Sequence, residues 1–451
     1  ATATEEPAVA PVAPVAPVAP VADAPPEIDR RRARRISIAA VGDMMIGTEY
    51  PQDRLPADDG ANFLAAVAPT LRAADITFGN LEGVLADSGE PGKKCSNPAA
   101  CYRFRMPTRY ATHFKNAGFD VLSLANNHAR DFGEEGRTET MRTLAAAGIR
   151  YSGRVGNFSS FEQGGLKVAV LAYAVTRNSN MMLDYLFAER TVASYAATHD
   201  IVIVSFHGGA EGAAYTHVTF AEEEYYNEPR GDVVRFARTM VDAGADLVLG
   251  SGPHVVRAME RYNERLIAYS LGNFATSLGI SVDGIKGVAP ILLATLDGEG
   301  RFIEAEIIST VQGRGTGPRI DPHNKAFDLL RSLSIQDFKT PGLVFRDDGK
   351  LLPAERPPVP RRTVFGPDDK PGDNGPKACS EDWFWFLESS LLKAGEISFD
   401  VEPGDAAWRT IVQRRLNLDT RQGLSDLTQQ DWCDVVSGSI SHSSGEIRLL
   451  R

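Results

Sequence analysis

The chain has 451 residues, 43% hydrophobic and 24% charged, which suits a soluble globular protein of two or three domains. Its net charge of −11 argues against a nucleic-acid partner held by phosphate neutralisation. No stretch reaches the roughly 18–20 apolar residues that a membrane-spanning helix needs.

Residues 1–35 read as a spacer. An Ala-Pro-Val repeat runs from Ala10 to Pro20, and repeated proline favours extended polyproline II over helix or sheet. The first residues, Ala-Thr-Ala-Thr-Glu-Glu-Pro, are expected to be a processed or truncated start, as a removed export signal or membrane anchor would leave. Arg30, Arg31, Arg32, Arg34 and Arg35 follow, either as a solvated patch or as an anchor for anionic lipid or polymer.

The main domain is expected over residues 36–310. Ile36 to Val41 reads as a strand, Asn62 to Ala73 as a helix, and Asp75 to Phe78 as a strand. Thr108 to Ala117 and Gly136 to Ala147 read as helices closed by Gly118 and Gly148. Between them Val121 to Leu124 is a strand. Lys167 to Tyr173 and Ile201 to Phe206 are strongly apolar strands. Asp232 to Ala243 is a helix ending at Gly244, followed by strands at Leu247 to Leu249 and Arg265 to Ser270. Ile291 to Leu296 and Phe302 to Ile308 form an antiparallel pair around Asp297-Gly298. Strands alternating with helices predict an α/β domain. Residues 311–378, rich in Gly, Pro, Asp and Arg, read as an irregular linker, and residues 379–451 as a small C-terminal appendage.

Four cysteines allow three pairings. The local ones, Cys95–Cys101 and Cys379–Cys433, are simplest for the chain and imply an oxidising compartment. Neither pair has zinc-ligand spacing.

Polar motifs end the apolar strands in series: Gly42-Asp43, Gly79-Asn80-Leu81-Glu82, Asn126-Asn127-His128, His207-Gly208-Gly209 and Gly252-Pro253-His254. In α/β sheets, sites gather beyond the strand C-termini. Asp, Glu, Asn and His there supply the donors that hold hard or borderline metal ions. Arg103 and Arg105, interleaved with Tyr102 and Phe104, are candidates to bind an anionic polymer or else face water on an edge strand. Asp131 either orients the His128 imidazole or caps the following turn.

These residues resemble the bacterial CapA-type capsule-biosynthesis family, implicated in making or anchoring poly-γ-glutamate. The resemblance covers about residues 36–310. It is most specific at Ser123-Leu124-Ala125-Asn126-Asn127-His128 with Asp131-Phe132-Gly133, and at Tyr269 to Phe274. It implies a two-sheet α/β/β/α sandwich similar to calcineurin-like metallophosphatases. It also implies metal ligands at Asp43, Glu82, Asn127, His207 and His254, with Asn80 beside Glu82. By the same resemblance His128, Glu211 and Asp131 are catalytic candidates, and Asn126 and Asn273 join the arginines as substrate contacts. Three positions depart from the phosphatase pattern: Met45 and Gly252 stand where His is expected, and Asn80 where a bridging Asp is expected. A single Mg²⁺, Mn²⁺ or Zn²⁺ ion, or none, is therefore expected rather than a full two-metal pair.

The functional expectation is a periplasmic, secreted or envelope-associated metal-dependent hydrolase acting on an anionic polymer, with poly-γ-glutamate amide bonds first. The rival is a non-catalytic assembly factor that presents polymer to membrane synthase or exporter subunits. A phosphoesterase ranks behind both.

Overall fold

The structure is a computed structural model that describes residues 32–93 and 101–354 and, in the C-terminal segment, residues 379–380, 383–384, 387, 391, 404–416, 428–443 and 446–449. Two sheets face each other. In the first, the strands run in the order Leu343–Phe345, Lys350–Pro353, Phe302–Val311, Val288–Asp297, Arg35–Met45, Ile76–Leu81, Val121–Ser123, Arg150–Ser152. The last four are parallel, and Asn273–Thr276 adds in parallel to the far end of Arg35–Met45. The second sheet runs Met259–Tyr262, Arg265–Ala268, Leu247–Ser251, Ile201–His207, Leu166–Ala174, Ser159–Gln163. Its inner four strands are parallel.

Side-chain alternation explains the layering. Ile36, Ile38 and Ala40 join Val168, Val170, Ile201, Ile203, Leu247 and Leu249 in one core between the sheets. Their neighbours Ala39 and Val41 face outward onto Leu64, Val67, Leu71, Phe114 and Leu144. Ala169, Leu171, Val202, Val204 and Val248 face the other way, onto Ala188, Val192, Phe236 and Met240 of the helices Tyr185–Ala196 and Val233–Asp242. Both faces of each central strand are buried, which is why these strands read as continuous apolar runs. The result is the expected α/β/β/α sandwich.

Two expectations need correction. Asn62 to Ala73 contains only one α-helical turn, Ala68–Leu71, with Pro69 in its first turn and a succession of turns before it. Proline lacks the N–H that would continue a preceding helix, yet Phe63, Leu64, Val67 and Leu71 are still buried. The segment after residue 310 is not all linker. Helix Lys325–Asp337 buries Phe327 and Leu330 in the inter-sheet core, and Lys350–Pro353 pairs with Phe302–Val311. The Gly- and Pro-rich stretch before this helix masked the Phe327, Leu330, Leu333 spacing. Residues 355–378 lie outside the described residues.

In the C-terminal segment Trp383, Trp408 and Trp432 meet in their own cluster with Val412 and Val436. Cys379 pairs with Cys433 beside it. Cys101 is also disulfide-bonded; Cys95, its expected partner, lies outside the described residues.

Candidate metal centre

Every motif of the series lies where a parallel strand ends, and the two sheets bring these ends together. Asp43 leaves Arg35–Met45 beside Asn80 and Asn273, in register with both. A Cβ on Gly42 would stand 2.0 Å from the Gly272 carbonyl, so only glycine permits this approach. His207 ends its strand opposite Ser251. His254 then enters from the following loop with φ 57°, a conformation that costs a non-glycine residue energy and is held by its surroundings.

Asp43, Glu82 and His254 each place a donor atom within 4.8 Å of the others. His254 Nδ1 is 3.2 Å from Asp43 Oδ2, and its Nε2 is 3.6 Å from Glu82 Oε1 and 3.9 Å from Glu211 Oε2. His207 Nε2 lies 3.5 Å from the same Glu82 oxygen. Asn273 settles the tautomer. Its Nδ2 donates to the carbonyls of Ser281 (3.1 Å) and Lys286 (3.3 Å), so its Oδ1 accepts from His254 Nδ1 at 2.9 Å. Nε2 is thereby aimed at the carboxylates, the orienting arrangement found behind metal-bound histidines.

Asp43 Oδ2, both Glu82 oxygens, both His207 nitrogens and Asn127 Oδ1 are buried without a hydrogen-bond partner. Each such atom costs about 1–3 kcal/mol. The orphaned oxygens of Asp43 and Glu82, gathered with His254 and with His207 Nε2 beside them, fit a divalent cation. Burial opposes charge on Glu82, but His254, His207 and His128 outweigh it and hold the carboxyl well below the usual range. Burial likewise opposes charge on His254, but Glu82, Asp43 and Glu211 outweigh it and push its pKa up. A proton on His254 thus balances the carboxylates, and a metal ion would replace it.

The three departures have structural reasons. Asn80 donates to Asp43 Oδ1 (2.9 Å) and accepts from Asn126 Nδ2 (3.0 Å), so it fixes Asp43 as a neutral partner. Met45 is fully buried. A Cβ on Gly252 would sit 3.3 Å from His207 Nδ1 and 3.0 Å from the Gly208 backbone, so the glycine makes room for His207.

His128 stands beside the centre. Its Nδ1 is 2.7 Å from Asp131 Oδ2, its ring stacks on Phe104 at 4.4 Å, and its backbone N–H donates to Asn126 Oδ1. Asp131 therefore orients His128, and it also accepts the Phe104 N–H at 2.7 Å. Glu211 is held by the buried guanidinium of Arg230, which also donates to the Gly209 carbonyl at 3.0 Å.

The four substrate contacts expected from sequence are otherwise engaged. Asn126 is buried and spends its amide on Asn80 Oδ1, the Leu81 carbonyl and the His128 N–H. Asn273 supports His254 instead. Arg103 donates twice to the Lys93 carbonyl. Arg105 pairs with Glu49 at 3.2 Å and donates to the Gly89 carbonyl. Sequence reasoning missed Arg230 and Lys93, since neither stands in a spaced motif. Lys93 Nζ lies 3.4 Å from Asp131 Oδ1 and 3.5 Å from His128 Nδ1.

The sequence profile of the bacterial capsule synthesis protein PGA_cap family matches residues 37–277, more than half of the chain. The chain belongs to this family. It is 27% identical over 298 residues to the capsule biosynthesis protein CapA of Bacillus anthracis, covering 60% of this chain and 67% of that one. It is 29% identical over 263 residues to the PGA biosynthesis protein CapA of Bacillus subtilis, covering 54% and 64%. The match thus spans about two thirds of these relatives' own length. Among solved structures it aligns with the calcineurin-like phosphoesterase YfkN of Bacillus subtilis at 12% identity over 64% of this chain and 90% of that one, with a TM-score of 0.32. A superposition that loose carries no argument, and the capsule-synthesis assignment rests on the sequence profile and the site.

Proposed function

We propose that this capsule-synthesis family member is an extracytoplasmic, metal-dependent hydrolase that cuts amide bonds of an anionic envelope polymer, first of all poly-γ-glutamate. The observation that carries this is the set of orphaned atoms on Asp43, Glu82, Asn127 and His207, with Asp43 and Glu82 gathered at His254, beside an oriented His128. Those five residues would hold the ion, of the Mg²⁺, Mn²⁺ or Zn²⁺ class. When bound it polarises the scissile carbonyl or acidifies a water. Asp131 accepts a hydrogen bond from His128 Nδ1–H, so the protonated imidazole would turn its Nε2–H to the departing amine and give it that proton. Glu211, with one oxygen fixed by Arg230, keeps its other oxygen toward His254 to accept a proton from the attacking water. The disulfide-bonded Cys101, Cys379 and Cys433 support an oxidising location.

The test is release of new amino ends from poly-γ-glutamate by metal-loaded protein. His128→Ala is expected to lower turnover about 10²–10⁴-fold with metal content unchanged. Full metal loading without cleavage by the wild type would overturn the hydrolase. It would favour a polymer-binding assembly factor working beside membrane synthase or exporter subunits, the reading that the altered Met45, Asn80 and Gly252 positions support.

A further inference from the structure

On the His254 side of the centre Glu211 is paired with the Arg230 guanidinium, and Glu222, Glu224 and Glu228 are exposed on the hairpin segment that carries Arg230. The His128 side carries a cation. Lys93 is clamped there at three points. Its backbone N–H donates to the Asp131 carbonyl at 3.2 Å. Its carbonyl accepts from Arg103 Nε and Nη2 at 3.2 and 3.0 Å. Its ammonium rests between Asp131 Oδ1 and His128 Nδ1, with the side chain 24% exposed. Gly92 before it packs so tightly on Gly133 that a Cβ would stand 2.5 Å from the Gly133 nitrogen. Three contacts fix the backbone of one lysine, yet its side chain stays partly exposed and, among the described residues, its Nζ makes only long contacts of 3.4 and 3.5 Å. A purely structural lysine would be drawn into a shorter pair.

We propose that Lys93 is the specificity-determining residue that reads a free carboxylate next to the scissile bond. This rests on the hydrolase reading above. In a γ-linked glutamate chain, the carbon bonded to each backbone amide nitrogen carries a free α-carboxylate. An amide nitrogen that meets His128 Nε2 carries this carboxylate on its own carbon, and Lys93, whose ammonium lies 3.5 Å from the Nδ1 edge of the same ring, is the cation that would reach it. An α-linked glutamate chain, whose carboxylates sit at the ends of side chains, would not offer the group at this place.

The test compares binding of a γ-linked glutamate oligomer with the same oligomer carrying α-carboxamides, for metal-loaded wild type, Lys93→Met and Lys93→Arg. A charge-assisted contact predicts that the wild type prefers the carboxylate form about tenfold. Lys93→Met is expected to reduce the ratio to about one, with metal content and thermal midpoint retained, and Lys93→Arg to keep most of it. A wild-type ratio that persists in Lys93→Met would overturn the assignment of Lys93 alone. Failure of the wild type to bind either oligomer would overturn the polymer reading and the role of Lys93 with it. A lysine that merely braced the loop would change the thermal midpoint and leave the ratio untouched.

Discussion

Where the parallel strands begin, Asp75, Asp120, Asp200 and Asp246 each stand one residue before a strand. Each accepts the N–H of the neighbouring strand: Ser37 at 2.8 Å, Thr77 at 3.0 Å, Lys167 at 2.8 Å and Val202 at 2.8 Å. Where strands of the same sheets end, Asp43, Glu82 and His207 are buried, Asn127 is half-buried, and all four keep donor atoms unpaired. The sheets are shared; burial and satisfaction both differ, and only Asp246 at the first end is as buried as the site residues. Carboxylates at the first end complete the backbone hydrogen bonding that the fold requires. Those at the second end are destabilising unless something binds them, which is the trade expected of a functional site. Among the buried groups Asp43, Glu82 and Asp246, the fate of the last lone pair is what separates a site residue from a structural one.

Breaking the second end should affect binding rather than folding. His207→Gln removes two orphaned nitrogens and no hydrogen bond. It is expected to lower metal affinity more than about 100-fold, the upper range seen when only an outer-sphere partner is lost. Metal content after gel filtration checks this, and full occupancy would count against His207 as a ligand. Asn273→Ala leaves the ligands in place but frees the His254 ring. About a 10–100-fold weakening of metal binding is expected, read by competition with a chelator. An unchanged affinity would mean that the tautomer set by Asn273 is of no consequence to the centre.

The sequence exposed much of this. Apolar alternation at Ile36, Ile38 and Ala40 against Ala39 and Val41 marks a strand buried on both faces, and the polar residues after such strands mark the site end. What could not be read is how polar groups divide among themselves. Asn80, Asn126 and Asn273 look like site residues because they are; only the hydrogen bonds show that each is consumed in aiming Asp43, His128 or His254. Lys93, in a loop, and Arg230, in the short hairpin strand Glu228–Gly231, were hidden because their placement depends on tertiary contacts with Asp131 and Gly209. The helix Lys325–Asp337 was hidden by composition averaged over too long a window.

Breaking the first end should do the reverse. Asp246→Ala strands the Val202 N–H and the Arg265 guanidinium, which lies 3.0 Å from Asp246 Oδ1. A loss of about 1–3 kcal/mol in unfolding free energy is expected, with metal affinity unchanged. A weakened metal site in this variant would show that the two ends are coupled.

Titration of Asp246 sharpens the comparison with a smaller effect. Burial raises its pKa from 3.8 to about 6; Arg265 and the Val202 N–H pull against this, and Asp297 adds to the rise. The folded protein therefore holds this proton more tightly than the unfolded chain does. The stability it contributes is fully present below 3.8 and is lost as pH rises through about 6. Asp246→Asn cannot titrate, so the difference in urea midpoint, wild type minus variant, should fall steadily from about pH 4 to about pH 7. A flat difference would mean that the Arg265 pair and the Val202 N–H fully offset burial. Asp246, the buried carboxylate of the first end, would then carry no electrostatic penalty, and unpaired lone pairs alone would set it apart from Asp43 and Glu82.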